Sequence, residues 1–338
     1  MREPPAQLSG EVLCSYLQEC YGLAEAGLSF LARGSDASAW VYHVQTNGAA
    51  EYFLKVRAGT VHEASVQVPR YLCDQGIAGV VAPLPTTAGG LWARKDGLAL
   101  ILYPFIAGQT GMESGLSDRQ WVTFGTILAH IHAAPVTSHL RQTLPKELYV
   151  PEGADVLRRL DATIAARNFD DPEAGAFAAY WQVRREDLCM LAERAEGLGR
   201  RLACKRPACV VCHADIHTNN VLLAPDQQVW IVDWDDTMLA PRERDLMFVV
   251  GGGLRRGLVT PRQEELFFQG YGATAVDALA IAYYRYARAV SDIGEVGTQV
   301  LFRPDLAPIS RHTAVDRFLH LFQPGSNVSQ ALGSDEEA

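Results

Sequence analysis

The stretch CVVCHADIHTNN, residues 209–220, decides how the rest of the chain is read. Cys209, Cys212 and His213 spell C-x-x-C-H, a pattern of covalent haem attachment. His213, Asp215 and Asn220 spell H-x-D-x-x-x-x-N, the spacing of a phosphoryl-transfer catalytic loop. Haem attachment needs two thiols presented together from one loop or helix. Residues 208–212, ACVVC, are a short apolar run that reads as a buried strand, and residues three apart in a strand face opposite sides. The same divergence argues against zinc. Small buried apolar side chains account for both cysteines.

Phosphoryl transfer needs a carboxylate to orient the attacking hydroxyl and take its proton, oxygen ligands for Mg²⁺, and a cation against the phosphates. Asp215 suits the first task. Asn220, across the same loop, offers an amide oxygen to the metal. A carboxylate ligand appears where the apolar run Val229-Trp230-Ile231-Val232 ends, at Asp233. Asp235 lies one pleat further on the same face if that strand continues. Lys55, alone in the apolar strand YFLKV (52–56), is the candidate cation, and Glu63 in the next helix is its candidate partner. Taken singly, Lys55 also reads as an edge-strand charge and Glu63 as a solvated acid near a helix N-terminus. His213 reads as a structural residue of the loop, and no role is assigned to His217.

The surrounding pattern is consistent with such a site. Ser9 to Tyr21 has helical apolar spacing and stops at Gly22. Strands are expected over Leu28–Ala32, Ala39–Gln45 and Glu51–Arg57, the last two joined by an Asn47-Gly48 hairpin turn. A helix follows over His62–Gln75, with a possible kink at Pro69. Further strands are expected at Val80–Pro83, Gly90–Ala93 and Leu98–Tyr103. Beyond Phe105 the pattern turns helical, starting with a Ser117/Gln120 capping box. Residues 152–203 are helical with a break near Asn168–Pro172, and helices return over 261–322. Within this helical half, residues 208–234 form a strand, a polar loop and a small hairpin.

The chain has 338 residues, enough for one large bilobed domain. Its net charge of −9 argues against nucleic acid as a partner and suits a cationic ligand, although solubility alone also accounts for it. No apolar run is long enough for a bilayer, and MREPPAQLSGEV (1–12) has no apolar signal core, so a cytoplasmic location with no membrane partner is expected. Seven cysteines, an odd number, suggest free thiols in a reducing compartment.

The motifs VCHADIHTNNVLL (211–223) and IVDWD (231–235) resemble the aminoglycoside phosphotransferase family. YFLKV (52–56), LILYPF (100–105) and ERDLMF (243–248) extend the resemblance, in order, over most of the chain. The wording of YPFIAG, HADIHTNN and YYRYAR is nearest the spectinomycin phosphotransferase branch. The resemblance implies an α+β, bilobed, protein-kinase-like fold. A small N-lobe with an antiparallel sheet plus helix would span 1–105, with a hinge near 101–107. A larger, mainly helical C-lobe with a catalytic β-hairpin would span 108–323, followed by a disordered polar tail, 324–338.

The resemblance also implies ATP and Mg²⁺ as cofactors and a small cationic aminocyclitol as acceptor. Asp215 would be the catalytic base, Asn220 and Asp233 the metal ligands, and Lys55, oriented by Glu63, the phosphate-binding lysine. Asp235 would assist through water. Adenine would bond to backbone near Pro104 and Ile106, and Asp245 would brace the catalytic loop. The phosphate loop departs from the glycine-rich pattern: Arg33-Gly34-Ser35-Asp36 has one glycine, with Gly34 and Ser35 as the backbone candidates. No activation segment follows Asp233, which favours a small substrate over a protein. Asp292 and Glu295, three apart on one helix interrupted by Gly294, are the candidates for binding the acceptor's ammonium groups. A metabolite kinase acting on an amino sugar or a choline-like amine, and a silent nucleotide- or aminoglycoside-binding module, are the alternatives.

Overall fold

A computed structural model describes residues 4, 8–32, 38–48, 50–252, 259–303, 306 and 308–334. The first elements are α1 (Gly10–Tyr21), β1 (Gly27–Leu31), β2 (Ala39–Gln45), β3 (Glu51–Ala58), α2 (Glu63–Asp74), β4 (Ala93–Lys95) and β5 (Leu98–Pro104). Next come β6 (Gln109–Thr110), α3 (Gly111–Ser114), α4 (Asp118–Ala133), α5 (Ser138–Thr143), α6 (Glu152–Ala166) and α7 (Pro172–Lys205). Strands β7 (Val210–Cys212), β8 (Val221–Leu223), β9 (Val229–Ile231) and β10 (Met238–Ala240) follow. The chain closes with α8 (Glu243–Leu246), α9 (Pro261–Tyr271), α10 (Ala278–Phe302), α11 (Pro308–His320) and α12 (Asn327–Gly333). Two compact units emerge: residues 1–145 with 213–238, and residues 146–212 with 239–338. This grouping differs from a single cut near residue 105, because residues 213–238, which include the small hairpin, group with the first 145 residues.

In the first unit, β1-β2-β3-β5-β4 form an antiparallel five-stranded sheet. Period-two alternation divides its side chains. Trp40, Tyr42, Val44, Leu54, Val56, Leu100 and Leu102 pack with Leu13 and Leu17 of α1. The opposite face carries Ala99 and Ile101, packed with Val61 and with Val66 of α2. Lys55 falls between Leu54 and Val56, opposite Val41 and Ile101, so it belongs to this second face. The start of α1 is capped by the Ser9 hydroxyl, which accepts from the Val12 N–H, and Gly22 at φ 69° ends the helix. The expected strand at Gly90–Ala93 is shifted to Ala93–Lys95, where it finds β5 as a partner. The Ser117/Gln120 capping box forms as expected.

A three-stranded sheet, β6-β8-β9, holds the small hairpin. Its outer edge is closed by residues 79–81, where a strand was expected over Val80–Pro83. They form a single bridge to β9, with the Ile231 N–H donating to the Gly79 carbonyl at 2.6 Å and the Val81 N–H to the Ile231 carbonyl at 3.2 Å. Gly79 has φ 78°, and a Cβ there would lie 2.7 Å from the Val229 carbonyl oxygen. The Gly79→Ala variant is therefore expected to lose about 2–4 kcal/mol, from left-handed strain and overpacking against backbone together. Urea unfolding of the two proteins measures this directly; a loss below about 0.5 kcal/mol would show that the site accommodates a Cβ without strain or overpacking.

In the second unit, α10 packs against α6, α7, α11 and α12, and β7 and β10 pair as a two-stranded sheet. Tyr283, Tyr284 and Tyr286 of α10 are core residues, each at most 2% exposed. Gly294 does not interrupt α10. A Cβ at that position would lie 3.1 Å from Val156 Cγ1, so the glycine permits close approach of α6. The tail expected to be disordered contains α12. Ser326 caps it, and Val328, Gln330 and Ala331 are buried, so its apolar residues order the segment by packing on α10. Among the described residues, no helix is long and apolar enough to cross a membrane.

Candidate active site

The catalytic-loop motif folds as a tight corner between β7 and β8, closed by a single 3₁₀ turn at Thr218–Asn220. His213 is its strut. One ring nitrogen, Nε2, lies 2.9 Å from the Val232 carbonyl, and the other, Nδ1, accepts the Asp215 N–H at 3.3 Å. A carbonyl on one side and an N–H on the other fit the neutral tautomer with its proton on Nε2. The ring also packs on Trp234, with centroids 4.8 Å apart. His213 thus ties the Asp215 backbone to the end of β9.

Two non-glycine residues at the site have left-handed backbone: Ala214 at φ 68° and Asp233 at φ 63°. Such conformations cost of order 1–3 kcal/mol each and persist where the surrounding structure imposes them. Here they turn the chain sharply just before Asp215 and at Asp233 itself. Asn220 is 6% exposed. Its Nδ2 donates to the Asp215 carbonyl at 2.8 Å, and Val232 N–H donates to the Asn220 carbonyl at 3.1 Å. The catalytic loop and the end of the hairpin are thereby fixed to each other by main-chain and amide bonds. His217 Nε2 lies 3.4 Å from Asp215 Oδ2.

The donor set suits a divalent cation bound with polyphosphate. With its nitrogen engaged by Asp215, the Asn220 amide presents oxygen as its remaining end. The Asp233 side chain is 54% exposed, and its carboxylate supplies a second hard oxygen ligand. Lys55 reaches the same place from β3. Its Nζ lies 2.7 Å from Asp235 Oδ2 and 3.4 Å from Asp233 Oδ1. Burial alone would lower the Lys55 pKa, but the charges of Asp233 and Asp235 outweigh it and hold the ammonium above its ordinary range. The lysine is charged at any physiological pH.

Glu63 is not the partner of Lys55. Its carboxylate accepts from Trp92 Nε1 at 3.1 Å and from Gln67 Nε2 at 3.3 Å, so the helix α2 acid is engaged by its own neighbourhood. Asp235 takes that place, and Arg57 joins it, with NH1 2.9 Å from the same Asp235 oxygen. Arg57 was missed in the sequence, although the strand alternation that places Lys55 also places it on the same face. At the hinge, Phe105 N–H donates to the Glu51 carbonyl at 3.2 Å. Pro104 ends β5 opposite Tyr52, and the N–H of Ile106, one residue beyond Phe105, has no hydrogen bond among the described residues. Gly34 and Ser35 lie outside the described residues.

The two carboxylates expected to meet the acceptor are engaged elsewhere. Asp292, 7% exposed, accepts from Arg288 Nε at 3.0 Å and from Asn327 Nδ2. Glu295 accepts from Arg317 at 3.1 Å and from Gln299 at 3.0 Å. These bonds tie α10 to α12 and α11 and neutralise both acids. The haem geometry is also absent: Cys209 is exposed, while the buried Cys212 thiol donates toward the Ala240 and Pro241 carbonyls. None of the seven cysteines, all among the described residues, is joined in a disulfide.

Comparison with known proteins gives the family of this fold. The model of the APH phosphotransferase enzyme family matches residues 29–288. The crystal structure of spectinomycin phosphotransferase APH(9)-Ia, in complex with ADP and spectinomycin, superposes with a TM-score of 0.88 at 31% identity, covering 97% of this chain and 99% of that one. A Deinococcus radiodurans protein described as uncharacterized is 26% identical over 324 residues, covering 88% of this chain and 86% of the relative. Protein StrN of Streptomyces griseus is 27% identical over 231 residues, covering 65% and 68%. The corner that fixes Asp215 and Asn220, the hairpin that ends in Asp233, and the lysine strand facing it thus sit on a fold shared along nearly the whole chain with a small-molecule kinase, and the chain belongs to the aminoglycoside-type phosphotransferase family of protein-kinase-like enzymes.

Proposed function

We propose that this chain transfers the γ-phosphate of ATP to a hydroxyl of a small cationic aminocyclitol or aminoglycoside, with spectinomycin the first candidate acceptor. The observation that carries the reaction type is the convergence of Lys55, Asn220 and Asp233 beside the fixed Asp215 corner. The first acceptor is chosen from the likeness to spectinomycin phosphotransferase along nearly the whole chain. The net charge of −9 suits a cationic acceptor. The presence of Lys55, Asp215, Asn220 and Asp233 together also argues against a silent binding module.

In this reading Asp215 orients the acceptor hydroxyl and takes its proton as the oxygen attacks phosphorus and the bond to the ADP oxygen breaks. Asn220 Oδ1 and the Asp233 carboxylate would hold Mg²⁺, which supplies charge neutralisation on the phosphates. Lys55 binds the α- and β-phosphates. The Ile106 N–H and nearby hinge backbone bind adenine. The reaction takes place in the cytoplasm, where ATP and Mg²⁺ are abundant.

ADP release with Mg²⁺ and ATP, measured with spectinomycin beside kanamycin, hygromycin, streptomycin, choline and glucosamine, tests the reading. Stimulation by spectinomycin alone is expected. Turnover with a different acceptor would keep the chemistry and move the substrate to that compound. Absence of stimulation by every acceptor, with ATP bound, would defeat the proposed acceptor class.

A further inference from the structure

Arg57 and Asp235 have no assigned direct part in binding the nucleotide, yet they complete the surface that faces it. Lys55 and Arg57 are separated by one residue on β3 and share the face opposite the α1 core. Their side chains are largely buried, at 13% and 21% exposed. Both cations converge on one oxygen, Asp235 Oδ2, at 2.7 Å and 2.9 Å. A carboxylate oxygen shared by an ammonium and a guanidinium occupies the position of an anionic ligand. Phosphate oxygens accept from the same two donors with similar geometry. The acid that would otherwise orient Lys55, Glu63, is engaged by Trp92 and Gln67.

We propose that Arg57 is a second phosphate-binding cation of the nucleotide site, and that Asp235 holds Lys55 and Arg57 in place of phosphate until the nucleotide arrives. The inference rests on the ATP reading above. In the free protein the positive charges of Lys55 and Arg57 are balanced by Asp233 and Asp235, so neither cation is left uncompensated in a partly buried site. A nucleotide bringing its own metal offers Asp233 a cation and gives Lys55 and Arg57 phosphate oxygens. Asp235 is then displaced from one or both. A metal-free nucleotide must compete with Asp235 for the same donors. Asp235 is thus a positioning residue that favours the metal-bound nucleotide over the free one.

Calorimetric titration of ADP and adenosine, with and without Mg²⁺, tests this in the intact protein. Arg57→Gln is expected to weaken ADP binding on the order of tenfold, the size of one charge-assisted hydrogen bond, and to leave adenosine binding unchanged. Arg57→Lys should recover part of the loss. Asp235→Asn removes the competing charge with little change in shape, and it should tighten metal-free ADP binding several-fold, opposite in sign to structural damage. Thermal unfolding checks that both variants fold. Unchanged ADP affinity in Arg57→Gln, or weaker metal-free affinity in a folded Asp235→Asn, would overturn the inference and leave the ATP reading intact. Failure of the parent protein to bind either ADP or adenosine would overturn both.

Discussion

The Asp215→Asn variant is expected to lose phosphoryl transfer by about 10²–10⁴-fold in kcat, the usual contribution of a positioned general base, while its nucleotide affinity stays within about twofold of the parent. The substitution nearly preserves shape, so it isolates the chemistry. An asparagine at 215 leaves in place the main-chain bonds to His213 Nδ1 and Asn220 Nδ2, because both use the residue's backbone rather than its carboxylate. The left-handed turn at Ala214 lies outside the substituted residue and is retained. What disappears is the carboxylate that the proposed mechanism uses to take the proton from the acceptor hydroxyl. Steady-state ADP release and direct ADP titration, run side by side, separate the two effects. Parent-like turnover in a folded variant would remove Asp215 from the role of base.

The second large effect is expected at Asp233. Asp233→Asn should reduce kcat by at least about 10²-fold, which corresponds to about 2.7 kcal/mol of lost transition-state stabilisation. It should also abolish most of the gain in ADP affinity produced by Mg²⁺. Asparagine is the right replacement because the residue sits at φ 63°, and asparagine tolerates this region as aspartate does. Alanine would add backbone strain and confuse loss of a ligand with loss of structure. Lys55 retains its closer partner, Asp235 at 2.7 Å, so the fold should keep its thermal midpoint. The check is the ratio of ADP affinities with and without Mg²⁺. A parent-like ratio would place the metal on other ligands.

The contrast between these residues and the failed assignments is instructive. The placement of Asp215, Asn220 and Asp233 close together was legible because one loop and one short hairpin contain all three, and the spacing of a tight corner is a local property. Lys55 was legible as a charge in an apolar strand. Its partner was not, because helix α2 brings Glu63 to Trp92 and Gln67, and nothing in the local sequence records which acid will face a strand residue from a distant hairpin. Asp292 and Glu295 were misread for a related reason. Two acids on one helix can face a ligand or a neighbouring helix, and Arg288, Asn327, Arg317 and Gln299 claim them here. The tail was misjudged because its polar composition hides two well-spaced apolar residues, Val328 and Ala331, whose burial depends on the surface of α10.

By itself, the sequence determined the local folding: the capped helices, the alternating strands, the hairpin and the corner that carries Asp215 and Asn220. Each follows from short-range periodicity, turn chemistry or spacing. Tertiary structure alone decided which charges meet. It placed Asp235 between Lys55 and Arg57, spent Glu63, Asp292 and Glu295 on structural contacts, and used residues 79–81 to clamp the hairpin. The physical reason is that ion pairs and backbone bridges between distant segments depend on packing distance and desolvation, which are properties of the folded chain rather than of any window along it.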